Sequence, residues 1–212
     1  MNFRVPKIIA VSLLIASVNF AIAQEHPPTQ PALASDQSDA GKIENALSAG
    51  PKFITDHAAV MDWPPAQDKD GKMRVLRQGS NGWTCMPDRP APRHNPMCAD
   101  ETMMKWMMAM MAGQKPNIDR AGISYMLQGE AGADVQDITA KTPPQGKDWY
   151  FVGPHVMLVL PDDDKGALND VGQDTSSGMP YVRGPSSPSP LLIIPVAKPD
   201  EEIIVRKAAP GK

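Results

Sequence analysis

Few side chains in this 212-residue chain are suited to chemistry: four histidines, two cysteines, fourteen methionines and a scatter of carboxylates. His155 follows Gly153-Pro154 inside the most apolar segment of the sequence. Tyr125, Asp134 and Asp137 lie on or just after the preceding strand, and pairing of the two strands would let His155 meet a carboxylate and act as a base or a ligand. The heavier reading is a buried histidine satisfied by backbone hydrogen bonds. A second cluster is His94, Met97 and Cys98, with Cys85 upstream and His57 as a further imidazole. Thiolate, imidazole and thioether together suit copper. A third is the acidic stretch Asp162, Asp163, Asp164 with Asp170 and Asp174, which reads first as a solvated loop and second as a Ca²⁺ site. Neither a bound metal nor a cofactor is expected.

The familiar catalytic signatures are missing: G-x-S-x-G, H-E-x-x-H, C-x-x-C, a phosphate-cradling glycine loop and a dinucleotide fingerprint. Asp68-Lys69-Asp70-Gly71 has the look of a calcium loop, but Ala66 and Arg77 fall at its first and last ligand positions. It reads as a hairpin turn.

Residues 1–23 form a secretory signal: Arg4 and Lys7 precede an apolar run from Ile8 to Ala21, and Ala21-Ile22-Ala23 offers small residues for cleavage. The run is too short and interrupted for a membrane anchor, and no later segment is long and apolar enough to span a bilayer. Removing this segment, which carries two bases and no acid, leaves 19 basic and 24 acidic side chains, net −5. Such a chain has no electrostatic footprint for nucleic acid. Export to the periplasm or the medium also decides the sulfur chemistry. Cys85 and Cys98 are the only cysteines, and in an oxidising compartment they are expected to form a disulfide, which removes the thiolate that copper would need. Pro87, Pro90, Pro92 and Pro96 lie between them, so the intervening segment is expected to be neither helix nor central strand.

The elements that must position these groups are short. Residues 24–41 are rich in Pro, Gln, Ser and Asp and read as a disordered leader. A helix is expected over 42–49, and strands over 58–63 and 72–78 are expected to pair as a hairpin. A strand follows at 83–86. Asp100 caps a helix to about Ala112 that stops at Gly113. Met103, Met104, Met107, Met108, Met110 and Met111 surround Trp106 in it, with Lys105 the only charge of its interior. Thioethers circling a whole helix cannot converge on one ion, so this helix is expected to be buried or to meet a partner through Met103, Met107, Met110 and Met111. Further strands are expected at 122–129, with Ile123, Tyr125 and Leu127 on one face, at 149–160 with a break at Gly153-Pro154, and at 191–196 as a brief buried or edge strand. The tail 198–212 reads as an edge strand at Ile203–Val205 or as a frayed end. Strands without regular helical crossovers predict a single α+β domain over 42–197, mainly antiparallel, with one Met-rich helix and long Pro-rich loops.

Asn81-Gly82-Trp83-Thr84-Cys85-Met86-Pro87-Asp88, Pro96-Met97-Cys98, Gly122-Ile123-Ser124-Tyr125-Met126-Leu127, Gly153-Pro154-His155-Val156-Met157 and Pro180-Tyr181-Val182 together resemble an uncharacterised family of exported bacterial proteins. The resemblance covers about Ala58 to Val196 and implies an exported, disulfide-containing domain. It supplies no activity, cofactor or catalytic residue. The leading expectation is a non-catalytic binding module that meets a protein partner or a small apolar ligand. The alternatives are a small enzyme built around His155 and a periplasmic copper-binding protein using Met and His side chains.

Overall fold

Ten strands, three α-helices and one 3-10 helix make up the computed structural model, which describes residues 36–64, 72–89, 95–138, 140–147 and 149–197. The signal segment, residues 24–35 of the leader, the Asp68–Gly71 turn, His94 and the tail 198–212 lie outside the described residues. Eight strands share one sheet in the order β2-β1-β3-β4-β5-β8-β10-β9, and β6 pairs with β7 in a second, two-stranded ladder.

The first helix, α1 (Asp39–Leu47), starts earlier than its apolar residues suggest, inside the stretch read as leader. Its start is set by Ser38, whose hydroxyl accepts the Gly41 N–H at 3.1 Å, and by Asp39 in the first turn, where the helix dipole favours an anion. One turn of helix, α2 (Lys52–Thr55), leads into β1 (Ala59–Asp62), which pairs antiparallel with β2 (Arg74–Arg77). On its other side β1 pairs parallel with β3 (Thr84–Met86), the one parallel contact in an otherwise antiparallel sheet.

The segment after Cys85 departs from expectation at its far end. Met97–Ala99 form β4, an interior strand held between β3 and β5, because the prolines stop at Pro96 and leave the next three N–H groups free for the ladder. Cys85 and Cys98 are directly opposed in the β3–β4 register and joined at 2.05 Å. The chain at Gly50 passes so near the bridge that a Cβ there would lie 3.1 Å from the Cys98 sulfur and 2.9 Å from a Thr55 methyl group.

Helix α3 (Glu101–Met111) begins on Asp100, whose two carboxylate oxygens accept the Met103 N–H at 2.7 Å and the Ile123 N–H at 3.1 Å. One side chain thus caps the helix and ties it to β5 (Gly122–Met126). Gly113 ends the turn with φ +67°, a conformation costly for any other residue. In β5 Ser124 and Met126 are buried, while Ile123 and Tyr125 are half-buried on the other side, since with apolar residues on both faces alternation alone does not select the core side. The segment 149–160 splits at Gly153-Pro154 into β7 (Tyr150–Val152), which pairs with β6 (Glu130–Gly132), and β8 (His155–Val159) of the main sheet. The acidic stretch contains a 3-10 helix, Asp162–Leu168. Strand β10 (Leu191–Pro195) lies inside the sheet between β8 and the edge strand β9 (Tyr181–Arg183).

Cross-strand partners share a face. One face carries Met97, Ala99, Ser124, Met126, His155, Met157, Val159, Leu191 and Ile193, and α3 packs over it through Met103, Trp106 and Met107. On the other face Val60, Cys85 and Cys98 pack with Ala46 and Ala49 of the α1 segment. Among the described residues no helix is long and apolar enough to cross a membrane.

Candidate functional site

The β8 strand begins at His155, whose ring is completely buried. Its Nδ1 donates to the Gly153 carbonyl at 2.7 Å, a contact made two residues back across the Gly153-Pro154 bend. Burial pushes the imidazole below its ordinary pKa, and the Glu130 charge and the Gly153 carbonyl only partly oppose this. The ring is therefore neutral and closed to solvent. Register separates it from Tyr125: His155 opposes Met126, so Tyr125, one residue earlier, projects from the opposite face and stacks tilted on Trp83 at 5.6 Å. The Asp134 carboxylate accepts the Gln136 N–H at 2.8 Å, and Asp137 is exposed. His155 and these residues do not form an open catalytic constellation.

The carboxylate that acts on His155 is Glu130, at the start of β6. It pairs with Arg183 of β9, and both side chains are about nine-tenths buried, at 10% and 9% exposure. The guanidinium lies 5.2 Å from the Tyr150 ring centroid. Burial and the Glu130 charge hold the Tyr150 phenol above its ordinary pKa, and burial first, then Glu130, pushes Tyr181 up to about 12. Glu130, Tyr150, Tyr181 and Arg183 make a polar cluster of four residues from three strands. Sequence reasoning missed it because a Glu beside Gly129 reads as a solvated turn and its partner lies far along the chain. Arg183, a charge closing the short apolar run Tyr181-Val182, was the available signal.

The sulfur and acidic clusters resolve differently. Cys85 and Cys98 are disulfide-bonded, so neither is a thiolate ligand, and Met97 is buried in the α3-side core. His57 is exposed. Asp162 pairs with Lys115 and, at 2.6 Å, with Lys165, which together hold its carboxyl below the usual range. Among the described residues no three His, Cys, Asp or Glu side chains converge as a metal site. A cleft of about 480 Å³ opens beside α1 and β2, lined by Lys42, Asp62, Trp63, Lys72 and Arg74 among others. Asp62 bridges Lys42 at 2.8 Å and Arg74 at 3.2 Å, so both cations are already matched.

The candidate binding methionines divide. Met103 and Met107 are core residues, 1% and 8% exposed, and cannot present a face to a partner. Met110 packs partly against the core, whereas Met111 and its neighbour Met108 are exposed. A broader apolar surface lies on the other side of the sheet. Ile123, Leu158 and Leu192 form one cross-strand row over β5, β8 and β10, and Tyr125, Val156 and Ile194 form the next. All six are half-buried and none belongs to either packed cluster. No family model, curated protein or solved structure matches the chain.

Proposed function

We propose that the chain is an exported, non-catalytic binding module, a single disulfide-stabilised α+β domain whose working surface is the apolar sheet face around Val156 and Leu158. The observation that carries this reading is the pair of half-buried rows, Ile123–Leu158–Leu192 and Tyr125–Val156–Ile194, outside both packed clusters. An antiparallel sheet with one face on the core normally turns polar residues outward on the other. Here the outward face is apolar over three strands, and contiguous patches of this kind mark interaction sites. The likeness to exported bacterial proteins and the buried disulfide support the extracytoplasmic setting. The occupant is an apolar surface of a protein partner, and Met103 and Met107 take no part because they are inside.

The test is binding of an environment-sensitive apolar dye to the native protein, measured with sedimentation. Saturable dye binding is expected, with loss of that binding in Val156→Lys and Leu158→Lys variants whose thermal melts remain cooperative. A native protein that binds no dye, or dye binding unchanged in both variants, overturns the assignment.

A further inference from the structure

Asn81-Gly82 is the one Asn-Gly pair in the chain, and it lies in the bend that leads into β3. Glycine carries no Cβ, so the backbone nitrogen that follows this asparagine is open to the side-chain carbonyl before it. The fold keeps a glycine there: Gly82 has φ +77°, and a Cβ on it would lie 3.3 Å from the Glu101 Oε1. The Asn81 side chain is exposed, yet both ends of its amide are engaged. Its Nδ2 donates to the Ile54 carbonyl at 2.8 Å, and its Oδ1 accepts the Trp83 N–H at 3.1 Å. Ile54 lies in α2, so this one amide fastens the helical turn to the approach to β3. An ionised aspartate can still accept from Trp83 but has no donor to give to Ile54.

We infer that Asn81 is a deamidation site that the folded chain holds closed, and that its conversion to aspartate unfastens α2 from β3. In the reaction the Gly82 backbone nitrogen attacks Asn81 Cγ. The new N–C bond forms as the Cγ–Nδ2 bond breaks, and the Gly82 amide proton leaves with the side-chain amide as ammonia. Water then opens the cyclic imide to an aspartyl or isoaspartyl residue, with no change of oxidation state. Closing the imide requires the side chain to turn away from both of its hydrogen bonds, so the reaction waits for a local opening of the α2–β3 junction. Once the carboxylate is in place it meets the Ile54 carbonyl as acceptor against acceptor, and the tie is lost. The modification is slow to start and, once made, loosens the contact that restrained it. Asn45, Asn117 and Asn169, followed by Ala46, Ile118 and Asp170, are internal controls for asparagines without the glycine.

The experiment incubates the intact, disulfide-bonded protein at mildly alkaline pH, in native buffer and in guanidinium chloride, and follows conversion of each asparagine by peptide mass spectrometry. In guanidinium Asn81 is expected to convert ahead of Asn45, Asn117 and Asn169, and in native buffer its rate is expected to be at least about tenfold lower. The Asn81→Asp variant is expected to melt at least about 2 °C below wild type. Aged native protein gives a second readout without any substitution. Its converted fraction, separated by the added negative charge, is expected to be cut faster by trypsin at Lys52 than the unconverted fraction. Conversion of Asn81 as fast in native buffer as in guanidinium, or no faster in guanidinium than at Asn45, overturns the inference. So does equal cutting at Lys52 in the two fractions, or an Asn81→Asp melt identical to wild type.

Discussion

Replacing Glu130 with Gln leaves the Arg183 guanidinium charged in an interior where only 9% of its side chain meets solvent. The substitution keeps the shape and one acceptor oxygen but removes the charge. Breaking a buried ion pair by deleting one partner costs roughly 3–5 kcal/mol, because the remaining charge is desolvated without compensation. Two features of the site place the expected loss at the lower end of that range. The Gln oxygen still accepts a hydrogen bond, and Tyr150 offers its ring to the guanidinium at 5.2 Å, a contact worth up to ~2 kcal/mol when desolvated. We expect Glu130→Gln to lose about 3 kcal/mol, read as a drop of roughly 1–2 M in the urea midpoint. The double variant Glu130→Gln, Arg183→Met removes the stranded charge and is expected to regain more than half of the loss. A Glu130→Gln loss below about 1 kcal/mol, the scale of a solvated pair, would refute the argument that the cluster is sealed. A double variant no better than the single one would refute the stranded-charge cause.

His155 makes stability depend on pH with a defined sign. Its folded-state pKa lies below the ordinary 6.5, so on acidification the unfolded chain takes up the proton first. Stability is complete above about pH 6.5 and falls below it, by up to about 1.4 kcal/mol per pH unit, until the folded-state pKa is reached. Urea titrations across this window should show that slope, and His155→Gln should flatten it; an unchanged slope would assign it to other groups. Replacing Cys85 and Cys98 with Ala removes a covalent loop closure and should lower stability by about 3 kcal/mol, measured by denaturation of the double variant. A loss under about 1 kcal/mol would mean that the β3–β4 pairing already restrains the unfolded chain.

What could be read from sequence followed local rules. Two cysteines have one intramolecular pairing available, and Asp100 before an apolar run is a helix start whatever surrounds it. What could not be read was decided by distant residues. Ser124 faces inward because α3 settles over that side of β5, although Ile123 and Tyr125 make the opposite face the more apolar one in sequence. Glu130 is interior because Arg183 meets it from another strand, and a carboxylate beside glycine gives no local hint of that. The start of α1 lay within polar, turn-forming composition, where Ser38 and Asp39 look like leader until Arg74 pairs with Asp39 at 2.6 Å. For the candidate site, the histidine and its burial were legible in its apolar strand, and the Glu130–Arg183 pair beside it was not.

The position of the Cys85–Cys98 bridge sets how it behaves toward thiols. Both sulfurs are fully enclosed, with Ala46 and Ala49 packed over them and Gly50 closing from the side. A reducing thiolate must reach a sulfur directly to cleave the bond, and no such approach exists while the strands are closed. Cleavage by an excess of dithiol therefore waits on a spontaneous opening of the sheet, and its rate should level off as dithiol rises. At that plateau the bridge acts as a clock, timing how often the centre of the sheet opens.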